Sequence, residues 1–219
     1  MTPHRPPTRL LTPHHTTIPA GTQLFRLHRV AFEASSFNTK MADAYFGGGR
    51  FDGIAEDDPY PFLYAGGQAS TAVAEVLLRS ISANEDGFRL LPMASVEGRM
   101  CSTVELTAPV ELITLETARD LGAIGQDDWL VQAEPSEYAQ TRAWGRWLRR
   151  CSPAAGILWQ SRRDRPQRAM VFFGDRCPPD LFKVRSPGPG RLDSPAGLAW
   201  LNDLLRDYRA AVMAPSPRW

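Results

Sequence analysis

The 219-residue chain is nearly devoid of lysine: among 25 basic residues only Lys40 and Lys183 are not arginine. It also lacks a dominant charge, since 24 acidic residues leave a net charge of +1. A domain that holds nucleic acid through its phosphates usually shows a strong basic excess, so direct nucleic-acid binding is not expected. Cysteine is scarce. Cys101, Cys151 and Cys177 are far apart, odd in number and form no CxxC pair. That excludes a disulfide framework and a cysteine zinc site, and fits a reducing, cytoplasmic setting. No apolar run approaches the roughly 18 residues of a membrane helix. His14 and His15 adjoin, but nothing nearby supplies a third ligand, so no metal site is expected.

What is present is an ordinary globular composition, with 43% hydrophobic and 22% charged residues. The length suits one domain with a sizeable core. Residues 1–19 are rich in Pro, Thr and His and are expected to form a flexible lead-in lacking a secretory signal's apolar core. Strands are predicted over 23–30, 62–65, 90–92, 101–106, 110–115, 156–160 and 169–173. Helices are predicted from Ser70 to about Ile81, over 116–121 ending at Gly122, and from Ser136 to about Arg150. The arginines of that third helix (Arg142, Arg146, Arg149 and Arg150) read as a solvated face. Residues 186–191 are Pro/Gly punctuation. Ser194-Pro195 then opens a last helix, with an apolar stripe from Leu198 to Val212 expected to pack on the domain or a second subunit. Strands and helices mix without regular βαβ alternation, which predicts an α+β fold.

One region concentrates chemistry. Gly47-Gly48-Gly49-Arg50-Phe51-Asp52 is a glycine loop carrying a cation. Pro61-Phe62-Leu63-Tyr64-Ala65 is a short strand ending on an aromatic ring. Ala72-Val73-Ala74-Glu75-Val76-Leu77 sets a carboxylate in an otherwise apolar helical run. Three elements bringing a guanidinium, a ring and a carboxylate together suit an anionic ligand with a reacting centre. Each residue also has an ordinary explanation: a loop arginine, a strand-end tyrosine, and a glutamate paired with Arg79 at i+4.

These segments, with Leu24–Val30 (LFRLHRV) and Gly156–Phe173 (GILWQSRRDRPQRAMVFF), resemble the RES-domain family, named for its arginine, glutamate and serine. The likeness covers about residues 20–185, leaving 186–219 as a C-terminal helix and tail packed on the domain. No single motif is specific, but their order and spacing are. The resemblance implies a mixed β core with flanking helices like that of ADP-ribosyltransferases. It implies NAD as substrate, with no other cofactor. It further implies a toxin cleaving the nicotinamide–ribose bond by hydrolysis or phosphorolysis, neutralised by an Xre-type antitoxin, with a homodimer possible. Transfer of ADP-ribose to a protein, or delivery as an effector with an immunity protein, are the alternatives.

Carried over by matching segment, Arg26, Arg50, Tyr64, Glu75 and Ser161 are expected to line the NAD pocket. Arg50, and second Arg26, would clamp the diphosphate by paired charge-assisted hydrogen bonds. Tyr64 would stack on nicotinamide or ribose. Glu75 would stabilise positive charge on the sugar. Ser161 would hydrogen-bond the carboxamide or a ribose hydroxyl. Residues 55–58 (AEDD) form an acidic insertion relative to the family pattern, between the arginine and the tyrosine.

Overall fold

A computed structural model describes residues 4–43, 45–54, 58–185 and 189–213. The elements are, in order, β1 (His15–Ile18), β2 (Gln23–Arg29), β3 (Phe62–Gly66), α1 (Ala69–Val73, continued by a π turn over Ala74–Leu78), β4 (Arg89–Leu91), β5 (Arg99–Leu106) and β6 (Val110–Leu115). There follow α2 (Ala118–Ala123), α3 (Trp129–Gln132), α4 (Tyr138–Cys151), β7 (Gly156–Gln160), β8 (Arg168–Phe173), β9 (Phe182–Val184), β10 (Gly190–Arg191), α5 (Pro195–Leu205) and β11 (Ala210–Val212). This is the expected α+β architecture with a mixed sheet.

Among the described residues, one sheet runs β1-β6-β7-β8-β3-β2-β5-β10, with β9 also on β5. The pairing of β6 with β7 is parallel and the others are antiparallel. The central strands β7 and β8 are apolar and buried on both faces, which is why they read as continuous apolar runs. Their side chains alternate between two cores. Ile157, Trp159, Val171 and Phe173 pack under Trp144, Trp147 and Leu148 of α4. Leu158, Met170 and Phe172 join Leu24, Leu63 and Val104 in the other. A third cluster sets α1 and its π turn (Val73, Leu77, Leu78) against Leu201 and Leu205 of α5.

Several expectations need correction. Residues 4–18 do not form a loose lead-in. β1 pairs with β6, the Trp144 indole donates to the His4 carbonyl at 3.0 Å, and the His4 ring stacks on Trp129 at 3.9 Å. His14 and His15 bond separately, to Asp120 and Ser152. The first helix starts at Ala69, and its cap position is Gln68, because the Ser70 hydroxyl donates instead to Asp164 at 2.9 Å. The last helix ends at Leu205. The chain then turns through Arg209, at φ 49°, so that Val212 lies in β11, parallel to β4. Residues 189–191 lead into β10 rather than forming only a loop, while 186–188 lie outside the described residues.

The α4 arginines are the largest departure. Arg142 and Arg149 are 1% and 6% exposed. Arg149 is chelated by Asp58 and Asp175, each at 2.7 Å, and its guanidinium lies 3.9 Å over the Tyr60 ring. Asp58 belongs to the expected acidic insertion, whose residues 55–57 fall outside the description.

Candidate functional site

Strands β2 and β3 share the single pairing Phe25–Gly66, whereas β2 pairs with β5 along its whole length. Where β2 and β3 part, a cavity of about 210 Å³ opens. Arg26 and Leu27 of β2 form one wall, and Phe62 and Tyr64 of β3 another. Arg50 closes it from the glycine loop, and Glu75, Val76 and Arg79 from the π turn and its end. An inner recess of about 50 Å³ continues behind Glu75 and Tyr64, with Leu27, Ala65, Val76 and Met170 as apolar lining.

Glu75 sits in the π turn, a distortion often found at functional sites. Its carboxylate accepts a 2.6 Å hydrogen bond from the Ser161 hydroxyl. It makes no ion pair with Arg79, so the i+4 surface-pair reading does not hold. Ser161 begins the loop after β7 and is fully buried. Its oxygen accepts from the backbone N–H of Arg163 and of Asp164, at 3.2 and 3.1 Å. Its one proton is therefore aimed at Glu75. Ser161 lies off the cavity lining, and its hydroxyl is turned to the Glu75 carboxylate rather than into the cavity. Asp164, in the same loop, accepts from Ser70, Thr71 and Tyr208, tying the loop to α1 and to the segment after α5.

Arg50 is buried, at 4% exposure, beside the cavity. One guanidinium nitrogen donates to the Leu130 carbonyl at 3.2 Å, and the group lies 5.1 Å over the Tyr138 ring. Its loop is held by α4: Thr141 donates to the Arg50 carbonyl at 2.8 Å, and Arg142 to the Gly47 carbonyl at 2.8 Å. Arg26 has a different job from a free clamp. A single terminal nitrogen donates to the carbonyls of Ala34 and Ser36, both at 2.6 Å, which folds that segment over it. Burial lowers its pKa to about 10, leaving it charged at neutral pH.

Tyr64 presents its ring to the cavity, because its hydroxyl is committed. It donates to Asp52 at 2.8 Å and accepts from the Phe51 N–H at 2.9 Å. Burial and then the Asp52 charge push its pKa well up. Asp52 was not singled out from the sequence. It is buried, also accepts from the Gly49 N–H at 2.7 Å, and has its pKa raised by burial against those two hydrogen bonds. Gly49 is required here: a Cβ would lie 2.5 Å from the Asp52 carboxylate and 2.9 Å from the Tyr64 hydroxyl. The signal was an acid three residues beyond a glycine in a turn-forming loop. Removing Asp52 as Asp52→Ala orphans a buried N–H and O–H. With about 1–3 kcal/mol at stake, the KM for substrate should rise roughly tenfold or more as Arg50 loosens. Steady-state kinetics with circular dichroism as a folding control checks this.

Arg79 and Arg99 complete the basic lining, and neither was expected there. Arg162 and Arg163, in the loop after β7, both pair with Glu134. Among the described residues, no group of three His, Cys, Asp or Glu side chains is placed to hold a metal ion. No helix among them is long and apolar enough to cross a membrane.

No curated protein matches the sequence significantly. Among solved structures, the crystal structure of the M. tuberculosis MbcT–MbcA toxin–antitoxin complex contains a chain with a similar fold. The TM-score is 0.53 at 16% identity, covering 78% of this chain and 84% of that one. The model of the RES domain matches residues 23–211, taking in α5 and β11 as well as the cavity. The chain therefore belongs to the RES-domain family.

Proposed function

We propose that the protein is the toxin of a toxin–antitoxin pair and acts by cleaving the nicotinamide–ribose bond of NAD. The observation that carries this is the Ser161–Glu75 hydrogen bond at the wall of a cavity lined by Arg26, Arg50 and Arg79. Family membership and the likeness to a toxin–antitoxin complex support it.

The chemistry follows from the lining. Nicotinamide lies against the Tyr64 ring, with one edge toward the inner apolar recess. Departure of neutral nicotinamide leaves positive charge on the ribose, as in glycoside cleavage. The Glu75 carboxylate, fixed by Ser161, faces that charge and accepts from a ribose hydroxyl. Wall arginines, Arg99 among them, hold the diphosphate. Water attacking the anomeric carbon gives ADP-ribose and a proton; inorganic phosphate gives the ADP-ribose phosphate ester. An antitoxin would silence the enzyme by covering the mouth of the cavity; Tyr45 and Phe46, 75% and 78% exposed, precede the glycine loop in sequence and offer it apolar surface.

The test is NAD loss with purified protein, with and without phosphate, and chromatography of the products. Release of nicotinamide supports the reading, and the partner product names the acceptor. Folded protein that consumes no NAD in either buffer overturns it. Ser161→Ala should retain the fold and lose about 10–100-fold in kcat, since a hydrogen bond to a charged group contributes about 1.5–3 kcal/mol. Ser161→Thr, which keeps the hydroxyl, should recover part of that. Equal kcat for wild type and Ser161→Ala would remove the positioning role.

A further inference from the structure

The cavity over Glu75 is small for a dinucleotide. Its 210 Å³ and the 50 Å³ of its recess together fall below roughly 300 Å³, the low end for ligand sites. One half of such a ligand has to lie elsewhere. A second groove, of about 560 Å³, adjoins the first: Arg26, Leu27 and Asn38 line both. Arg29, Phe32 and Lys40 line the groove alone.

The junction between the two spaces carries unbalanced positive charge. Arg29, on the groove, is directly opposite Arg99, on the cavity, in the β2–β5 register. Like charges so placed destabilise a strand pair. Neither guanidinium meets a carboxylate among the described residues; Arg99 donates to the Ser95 carbonyl. Burial, then the charges of Arg29 and Arg79, lower the Arg99 pKa. A bridging anion with two negative groups would relieve this repulsion. Beyond it, Phe32 is 64% exposed on the groove wall and offers a ring face of the kind on which bases stack.

We propose that this groove is the subsite for the adenylate half of a dinucleotide, with the diphosphate across Arg29 and Arg99, the base on Phe32, and Lys40 adding charge at the rim. The assignment rests on the NAD-cleaving reading and adds to it a preference for dinucleotide over mononucleotide.

The experiment compares kcat/KM on NAD and on nicotinamide mononucleotide for wild type, Arg29→Ala and Phe32→Ala, alongside calorimetric binding of ADP. Wild type should prefer NAD. Arg29→Ala should lose about tenfold or more on NAD, mainly through KM, and nothing on the mononucleotide. Its melting temperature should hold or rise, because a repulsion is removed. Phe32→Ala should lose less, again on NAD alone. Both variants should bind ADP more weakly. Equal losses on the two substrates, or unchanged ADP affinity, overturn the subsite. So does a wild type that cleaves both equally well. If wild type cleaves neither substrate yet binds ADP in an Arg29-dependent way, the groove stands and the catalytic reading falls. If Arg29→Ala weakens only antitoxin binding, the groove is a protein contact and the proposal fails.

Discussion

Glu75→Gln is expected to lower kcat for nicotinamide release by about 10²–10³-fold, the range for losing one preorganised charge-stabilising group, and to change the KM for NAD little. Glutamine matches glutamate in size, so the π turn and its packing on Leu77 and Leu78 stay as they are. What is lost is the negative charge. That charge matters most when the sugar is cationic, so the effect belongs in kcat rather than in substrate binding. Ser161 sharpens the prediction. Its proton points to Glu75 because two backbone N–H groups occupy its lone pairs. The amide oxygen of glutamine can still accept that bond, so stability should be near wild type. Stopped assays of nicotinamide release with a melting curve on each protein make the measurement. A Glu75→Gln enzyme with wild-type kcat would take the carboxylate out of the chemistry. A large rise in KM alone would make it a binding group.

The parts of this site that could be read from the residues were those where a single side chain contradicts its surroundings. Glu75 stood out because a carboxylate in an apolar helical run has to be doing something other than packing, and Arg50 because it follows three glycines. Asp52 and Arg79 did not stand out. An acid in a turn and an arginine near a helix end are ordinary; Asp52 is engaged through the Tyr64 hydroxyl and the Gly49 N–H, and Arg79 reaches the cavity where β2 and β3 part. The direction of the Ser161 hydroxyl was not legible: the loop amides of Arg163 and Asp164 decide where its proton goes. The strands β7 and β8 were plain from their apolar runs, whereas β1, with the sequence HTTI, is a short edge strand whose only strong signal is Ile18. The stripe from Leu198 to Val212 misled for a related reason. Leu205 and Val212 do share one core, but a left-handed turn at Arg209 carries the second into a strand rather than along the helix.

Arg149→Met should cost about 1–3 kcal/mol of stability, less than a fully buried pair would, because Arg149 is buried but Asp58 and Asp175 keep 29% and 41% of their surface in water. In a domain of this size about 2–4 °C accompanies each kcal/mol, so the melting temperature should fall by about 5 °C. Methionine fills much of the same volume and keeps the contact with Tyr60 and Phe173, so cavity formation contributes little. What remains is two carboxylates, Asp58 and Asp175, left near each other without the cation that joins them. The triad links α4, the segment after β8 and the segment entering β3. Tyr60, under the guanidinium, donates to the Phe51 carbonyl at 2.8 Å, beside Arg50 and Asp52. Loss of the triad should therefore reach the glycine loop, raising KM for substrate while kcat holds. The double variant Arg149→Met, Asp58→Asn separates the two effects: it removes one stranded charge and should recover part of the melting temperature. If Arg149→Met melts with the wild type, α4 carries its arginine as cover for the aromatic rings alone. If both variants melt equally low, the guanidinium's own packing, rather than the stranded charge, accounts for the loss.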